Sequence, residues 1–216
     1  MAKAGGLCGI NYQVRPAFAN TLNVGRKPPK MNLQQIIPDI KTLLIDTFQR
    51  IDHWFKKDAG LRTYKPKNGG WSIDQILEHI GLTNHFLLIL IDKGTRKALE
   101  ISKKQEWHLQ IGTEVFHSEK LDEVGIHKSF NWIRPEHMEP KGEKPLVEVR
   151  TQLKDQVSHC LNYLEQLKNG EGILYKTTMS VNNLGKINVY EYIYFLAQHG
   201  KRHLLQMQLN ESEYQT

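Results

Sequence analysis

The stretch Gly69–Asp92, GGWSIDQILEHIGLTNHFLLILID, decides the fold of this 216-residue chain. Ser72 followed three residues later by Gln75 is a capping box, in which each side chain satisfies a backbone amide left over at a helix N-terminus. From that cap Ile76, His79, Ile80, Thr83, Phe86, Leu87 and Leu90 recur at three- and four-residue spacing, the stripe of an amphipathic helix. The pattern predicts a helix that ends near Gly94 or in the polar turns after it. One member of the stripe is out of character. A buried imidazole costs free energy unless its ring nitrogens find partners, so His79 needs either a hydrogen-bonding neighbour or a metal ion.

Working outward, Leu33, Ile36, Ile37, Ile40, Leu43, Leu44, Phe48, Ile51, Trp54 and Phe55 mark a first helix, with its regular part expected to begin at Pro38, where a missing amide does least harm. AGLRTYKPKNGG then breaks the pattern before the capping box. After the second helix, residues 105–144 show only short apolar clusters broken by glycine and proline and read as a long crossover. A third helix, about Leu146 to Leu167, stops at Asn169-Gly170. A fourth, about Asn188 to Leu209, carries Val189, Tyr192, Ile193, Leu196, His199, Gly200, His203, Leu204 and Met207. Residues 173–183 have some strand character and are read as an ordered connection. Four amphipathic helices joined this way predict an all-α four-helix bundle with a long crossover between helices two and three. The bundle is assigned to residues 31–216. Residues 1–30, which contain no acid and no lasting periodicity, are read as a loosely ordered extension.

Composition narrows the function classes. The net charge of +6 would suit a nucleic-acid binder if the bases clustered, but they are interleaved with acids, as in Lys103, Lys104 and Glu106, so a solvated surface is expected and no nucleic-acid partner. Cys8 and Cys160 are the only cysteines, too few for a disulfide framework or a thiolate metal cluster, which fits a reducing, cytoplasmic setting. The longest apolar run, Phe86 to Ile91, is far too short to span a bilayer, and no membrane partner is expected. The broad apolar faces of the helices favour a homodimer.

His199 and His203 lie four residues apart and therefore stack on one helical face, about 6 Å apart along the axis. With a third imidazole from a facing helix they would form a three-ligand set with open positions for water or substrate. A lone histidine on an apolar face is more often a core residue with satisfied hydrogen bonds. Three in comparable positions on core stripes leave two readings open, a metal site or a buried hydrogen-bonded cluster. The remaining histidines are weaker candidates. His85 is off the stripe, His53 ends helix one, and His159 neighbours the polar side of helix three. His108, His117, His127 and His137 fall in the crossover, where one of them could cover the site.

Trp71-Ser72-Ile73 opening a helix, then Gln75, Leu77 and His79, a crossover containing Pro135 and Pro140, and finally QHGKRHLLQM with His199, Arg202, His203 and Gln206 resemble the DinB/YfiT-like family of metalloenzymes over about residues 31–209. The resemblance implies a four-helix bundle whose second helix gives one histidine and whose last gives two, binding a divalent metal such as zinc or nickel. Those roles fall on His79, His199 and His203. It further implies a small-molecule hydrolase or a thiol S-transferase using a low-molecular-weight thiol, since relatives include bacillithiol S-transferases and mycothiol-dependent maleylpyruvate isomerases. The pattern departs from that of zinc peptidases, which need a glutamate directly after the first histidine of the helical pair; Gly200 stands there. The alternative is a metal-free bundle acting as a binding or dimerisation module.

Supporting roles are less sharply drawn. Trp71 reads foremost as a hydrophobe capping the bundle, with a substrate platform as the alternative. Arg202 is about 100° around the helix from His203 and reads as a structural ion-pair residue or an anion contact. Glu78, Asn84, Tyr192 and Gln206 are candidates for orienting the ligands.

Overall fold

The computed structural model describes residues 32–104, 107, 115–132 and 135–216. The assignments made above for residues 1–30 and for His108 lie outside the described residues. Four long helices form the bundle: α1 (Leu33–Trp54), α3 (Ile73–Ser102), α5 (Leu146–Gln166) and α6 (Val189–Tyr214). Two short helices, α2 (Ala59–Thr63) and α4 (Ser118–Val124), sit in the connections. The long helices pack as a ring in the order α1, α5, α3, α6, with α4 added against α6. Among the described residues, no helix is long and apolar enough to cross a membrane.

The capping box at Ser72 forms as expected: Gln75 N donates to Ser72 Oγ (3.4 Å) and Ser72 N donates to Gln75 Oε1 (3.2 Å). Just before it, Arg62 on α2 makes a forked ion pair with Asp74 (2.9 and 3.2 Å), fixing the entry to α3. A second capping box opens α6, where Glu191 N donates to Asn188 Oδ1 (3.1 Å) and Asn188 N donates to Glu191 Oε2 (2.8 Å). Past this cap every residue from Val189 to Gly200 is buried, because α1, α3, α4 and the preceding hairpin enclose the first half of α6. A helix buried on all its faces is a core helix, which explains why its apolar stripe is blurred in the sequence.

Two expectations need correction and one is narrowed. Helix α1 begins at Leu33, with Pro38 inside it. The carbonyl that Pro38 cannot pair belongs to Gln34, an exposed residue of the first turn where solvent can satisfy it. Of the two ends expected for α3, the helix takes the later, passing Gly94 and ending in the polar turns after it at Ser102. Gly94 serves a contact instead, since a Cβ there would lie 2.9 Å from Val189 Cγ2 at the start of α6. Finally, the connection before α6 contains an antiparallel hairpin, β1 (Lys176–Met179) paired with β2 (Gly185–Asn188), in the register Lys176–Asn188 to Met179–Gly185. Its turn places Asn182, Asn183 and Gly185 at positive φ, which asparagine and glycine adopt at little cost. Strand β2 ends on the Asn188 cap, so the hairpin sets where α6 begins and hence where the face carrying His199 and His203 points.

Candidate metal centre

His79 lies in the second turn of α3, seven residues past the Ser72 cap, and His199 and His203 occupy successive turns of α6. Because α3 packs directly on α6, the three rings meet, with centroid separations of 5.2 Å (His79–His199), 4.9 Å (His79–His203) and 4.5 Å (His199–His203). One ring nitrogen of each lies within 4.8 Å of the others. All three side chains are buried, at 5, 1 and 6 % exposure. Gly200 makes this register possible. A Cβ there would come within 3.1 Å of Ile51 and Thr47 on α1, so position 200 faces α1, away from the imidazoles.

The hydrogen bonds fix two of the tautomers. His79 Nδ1 lies 2.8 Å from the carbonyl of Met138, which can only accept, so Nδ1 carries the proton and Nε2 keeps its lone pair. His203 Nδ1 lies 2.9 Å from Gln206 Oε1, also an acceptor, with the same result. His203 Nε2 in turn sits 3.0 Å from His199 Nε2. Two nitrogens each about 2.05 Å from one ion, at an angle of 90–110°, would be roughly 2.9–3.4 Å apart, so this pair matches the spacing of neighbouring ligands. His199 Nδ1 is buried and has no hydrogen-bond partner among the described residues. Burial pushes the His199 and His203 imidazoles well below their ordinary pKa, and the neighbouring rings and Arg202 push the same way. Both rings therefore stay neutral at pH 7, the form a metal ion needs. Convergent lone pairs, with acceptors behind two of the three imidazoles, are what a divalent ion requires, and the residues present fit one.

The cluster opens into a cleft of about 460 Å³. Trp71 and Trp132 form its walls, packing on His79 (4.6 Å) and His199 (5.5 Å) respectively. The crossover supplies His127, Trp132, Met138 and Glu139 to its rim, and Glu139 Oε1 accepts from Trp71 Nε1 at 3.0 Å. Arg202 donates to the Ile126 carbonyl and lies 5.4 Å from the rings of both Phe130 and Trp132. Of the supporting candidates, Gln206 and Trp71 belong to the site, and Trp71 is part of the cleft wall, not just a bundle cap. Glu78 instead accepts from Gly142 N (2.7 Å), holding the end of the crossover. Tyr192 turns to the hairpin, where its hydroxyl meets Thr177 Oγ1 (2.8 Å). Asn84 is buried without a side-chain partner among the described residues and does not line the cleft.

The other histidines separate as follows. His85 and His159 face a different groove, between α3 and α5, and His117 pairs with the buried Glu191 at 2.5 Å. His137 packs on Phe86, and His127 alone of the described crossover histidines lines the cleft. Met138 left no signal in the sequence, because its contribution to His79 is a backbone carbonyl. Trp132 and Glu139 sat in a segment without periodicity.

Comparison with known families places the chain in one of them. The model of the DinB superfamily matches residues 46–207, well over half of the chain. Searches of the curated proteins and of the solved structures return no match. This chain, a helical bundle whose second and last long helices together enclose a buried three-histidine cluster able to hold a divalent metal, belongs to the DinB superfamily.

Proposed function

We propose that the protein is a metal-dependent enzyme acting on a small molecule, as a thiol S-transferase or a hydrolase, through a divalent ion held by His79, His199 and His203. The observation that carries this reading is the pair of fixed tautomers: Met138 O and Gln206 Oε1 hold protons on the outer nitrogens of His79 and His203, leaving lone pairs directed at the cluster. A bound divalent ion of the zinc or nickel type would supply Lewis acidity, making a coordinated water or thiol a nucleophile near neutral pH.

The chain's own groups do the rest. Three neutral imidazoles add no negative charge, so the ion would retain its full attraction for a thiolate or hydroxide. Trp71 and Trp132 exclude water from two sides of the cluster and offer flat apolar surfaces to the substrate body. Glu139 is the only carboxylate among the described lining residues, and it is exposed and held by Trp71. Thiol transfer, in which the nucleophile loses its proton on binding, makes less demand on such a base than hydrolysis does, and it is the favoured branch.

Elemental analysis of protein purified without a histidine tag tests the reading. A stoichiometric divalent metal that is lost in His203→Ala is expected; protein that takes up no metal after loading at neutral pH would refute it. Incubation of the loaded protein with a thiol and an electrophile then separates the branches, because only transfer leaves sulfur in the product. One observation favours a second reading, a metal-free bundle serving as a binding module. The 3.0 Å His199–His203 contact is also a sound N–H···N hydrogen bond if His199 carries its proton on Nε2. The metal content decides between them.

A further inference from the structure

Among the described residues, one end of the cleft is basic without compensation. Arg202 lies between the two helical histidines in sequence and is half-buried beside Phe130 and Trp132. Its sole hydrogen bond among the described residues runs from Nη1 to the Ile126 carbonyl. The edge formed by Nε and Nη2, two parallel N–H donors, has no acceptor among them. His127 lines the same end and its Nδ1 is buried, again without a partner among the described residues. The charged neighbours that act on His127 are the bases Arg202 and Lys128. The one carboxylate among the described lining residues, Glu139, is engaged with Trp71. A guanidinium taken partly out of water beside imidazoles is costly unless an anion joins it, and a metal ion at the cluster would deepen the imbalance.

We infer that this end of the cleft binds a carboxylate of the substrate, with Arg202 as the anchoring residue and His127 beside it. The planar two-oxygen group matches the free fork edge of the guanidinium, which a tetrahedral oxyanion engages less completely. The stacking of Arg202 near Phe130 and Trp132 holds that fork in place before the substrate arrives, which lowers the ordering cost of binding. The substrate class is therefore a small acid that presents its reacting group to the metal and its carboxylate to Arg202. This rests on the metal-enzyme reading for its placement, but the anion site itself does not depend on the ion.

The test uses full-length protein loaded with cobalt(II), whose sulfur-to-metal charge-transfer band reports thiol binding. The probes are 3-mercaptopropionate and its neutral amide, 3-mercaptopropionamide. The acid is expected to bind roughly tenfold to a hundredfold tighter, the range of a charge-assisted hydrogen-bonded contact. Arg202→Gln, which retains a donor for the Ile126 carbonyl, is expected to abolish that preference while changing the affinity for the amide less than about threefold. Equal affinities in the native protein, or a preference that survives in Arg202→Gln, would overturn the inference. If Arg202→Gln lowers Tm or alters the cobalt ligand-field spectrum, Arg202→Lys replaces it: charge without the fork should still forfeit most of the preference, and retention of the whole preference overturns the fork assignment. Inorganic phosphate is expected to displace the acid more weakly than propionate does, and the reverse order would overturn the choice of carboxylate. Should cobalt fail to bind, the proposed function fails by itself. Propionate binding to the metal-free protein, read by tryptophan fluorescence with and without Arg202, then decides the anion site, and no Arg202-dependent change would refute it.

Discussion

Replacing Gln206 by leucine tests whether the hydrogen bond behind His203 serves the metal. In the structure Gln206 Oε1 accepts the Nδ1 proton of His203 at 2.9 Å and so leaves Nε2 free to coordinate. Leucine is close in size but accepts nothing. The Nδ1–H group of the buried His203 then loses its partner, which costs about 1–3 kcal/mol of fold stability, the range for an unsatisfied buried donor. Metal affinity should fall as well. The proton is now free to occupy Nε2, the atom that faces the cluster, and the bound ring loses the acceptor that makes it more basic. Loss of such a partner usually weakens metal affinity 10–100-fold, or about 1.4–2.8 kcal/mol. Gln206→Glu should act in the opposite direction, since a carboxylate is the stronger acceptor. Competition against a chromophoric chelator measures Kd for native protein and both variants, and thermal unfolding measures the fold. A Gln206→Leu protein that is folded and binds metal within about threefold of the native Kd would refute the argument, because the tautomer would then not depend on this bond.

Other perturbations have equally definite outcomes. In the metal-free protein, His199 and His203 are held neutral by burial below the unfolded pKa of about 6.5, so the unfolded chain binds more protons below that pH and stability should fall as pH drops from 6.5, by about 1.4 kcal/mol per pH unit for each ring; urea midpoints at pH 7.5 and 5.5 for native and His199→Phe protein measure it. Saturating metal at about 1,000 times Kd should raise stability by about 4 kcal/mol, seen as a Tm that rises with metal concentration and returns with chelator. Tyr190→Phe should cost about 1–3 kcal/mol in chemical denaturation, because the buried hydroxyl donates to Leu167 O and accepts from Gly172 N, and Gly172 N would lose its partner while Leu167 O keeps Gly170 N. Gly94→Val should destabilise by about 1–3 kcal/mol, since even a Cβ would press on Val189, and a Tm equal to that of the native protein would show that α3 and α6 can separate there freely.

The long helices and the three histidines that cluster were legible in the sequence because they rest on local rules. The Ser72 and Gln75 cap fixed the start of α3, and the spacing of four between His199 and His203 placed them on one face wherever α6 began. What the sequence hid depends on contacts between distant segments. Gly94 reads as a stop by propensity, yet packing against Val189 carries α3 through it. The four-residue strands of the hairpin are too short for an alternating pattern to stand out, and their turn relies on two asparagines at positive φ. The rim of the cleft was the least legible part. Trp132 and His127 come from a segment without periodicity, and the partner of His79 is a main-chain carbonyl that any residue at position 138 would offer.

The enclosure of α6 has a kinetic consequence. Amides of Ile193 to Gly200 lie in a helix buried on every side, so they can exchange with solvent only when the whole bundle opens, and their exchange should track global unfolding. The Met138 carbonyl that steadies His79 sits in a short turn on the crossover, Glu136–Met138, none of whose residues is buried, so its amides should exchange sooner than those of α6. The two halves of the site should thus differ in exchange rate, and under the proposed function the His199–His203 pair would be the lasting seat of the ion and the His79 side the edge through which an ion or substrate would enter.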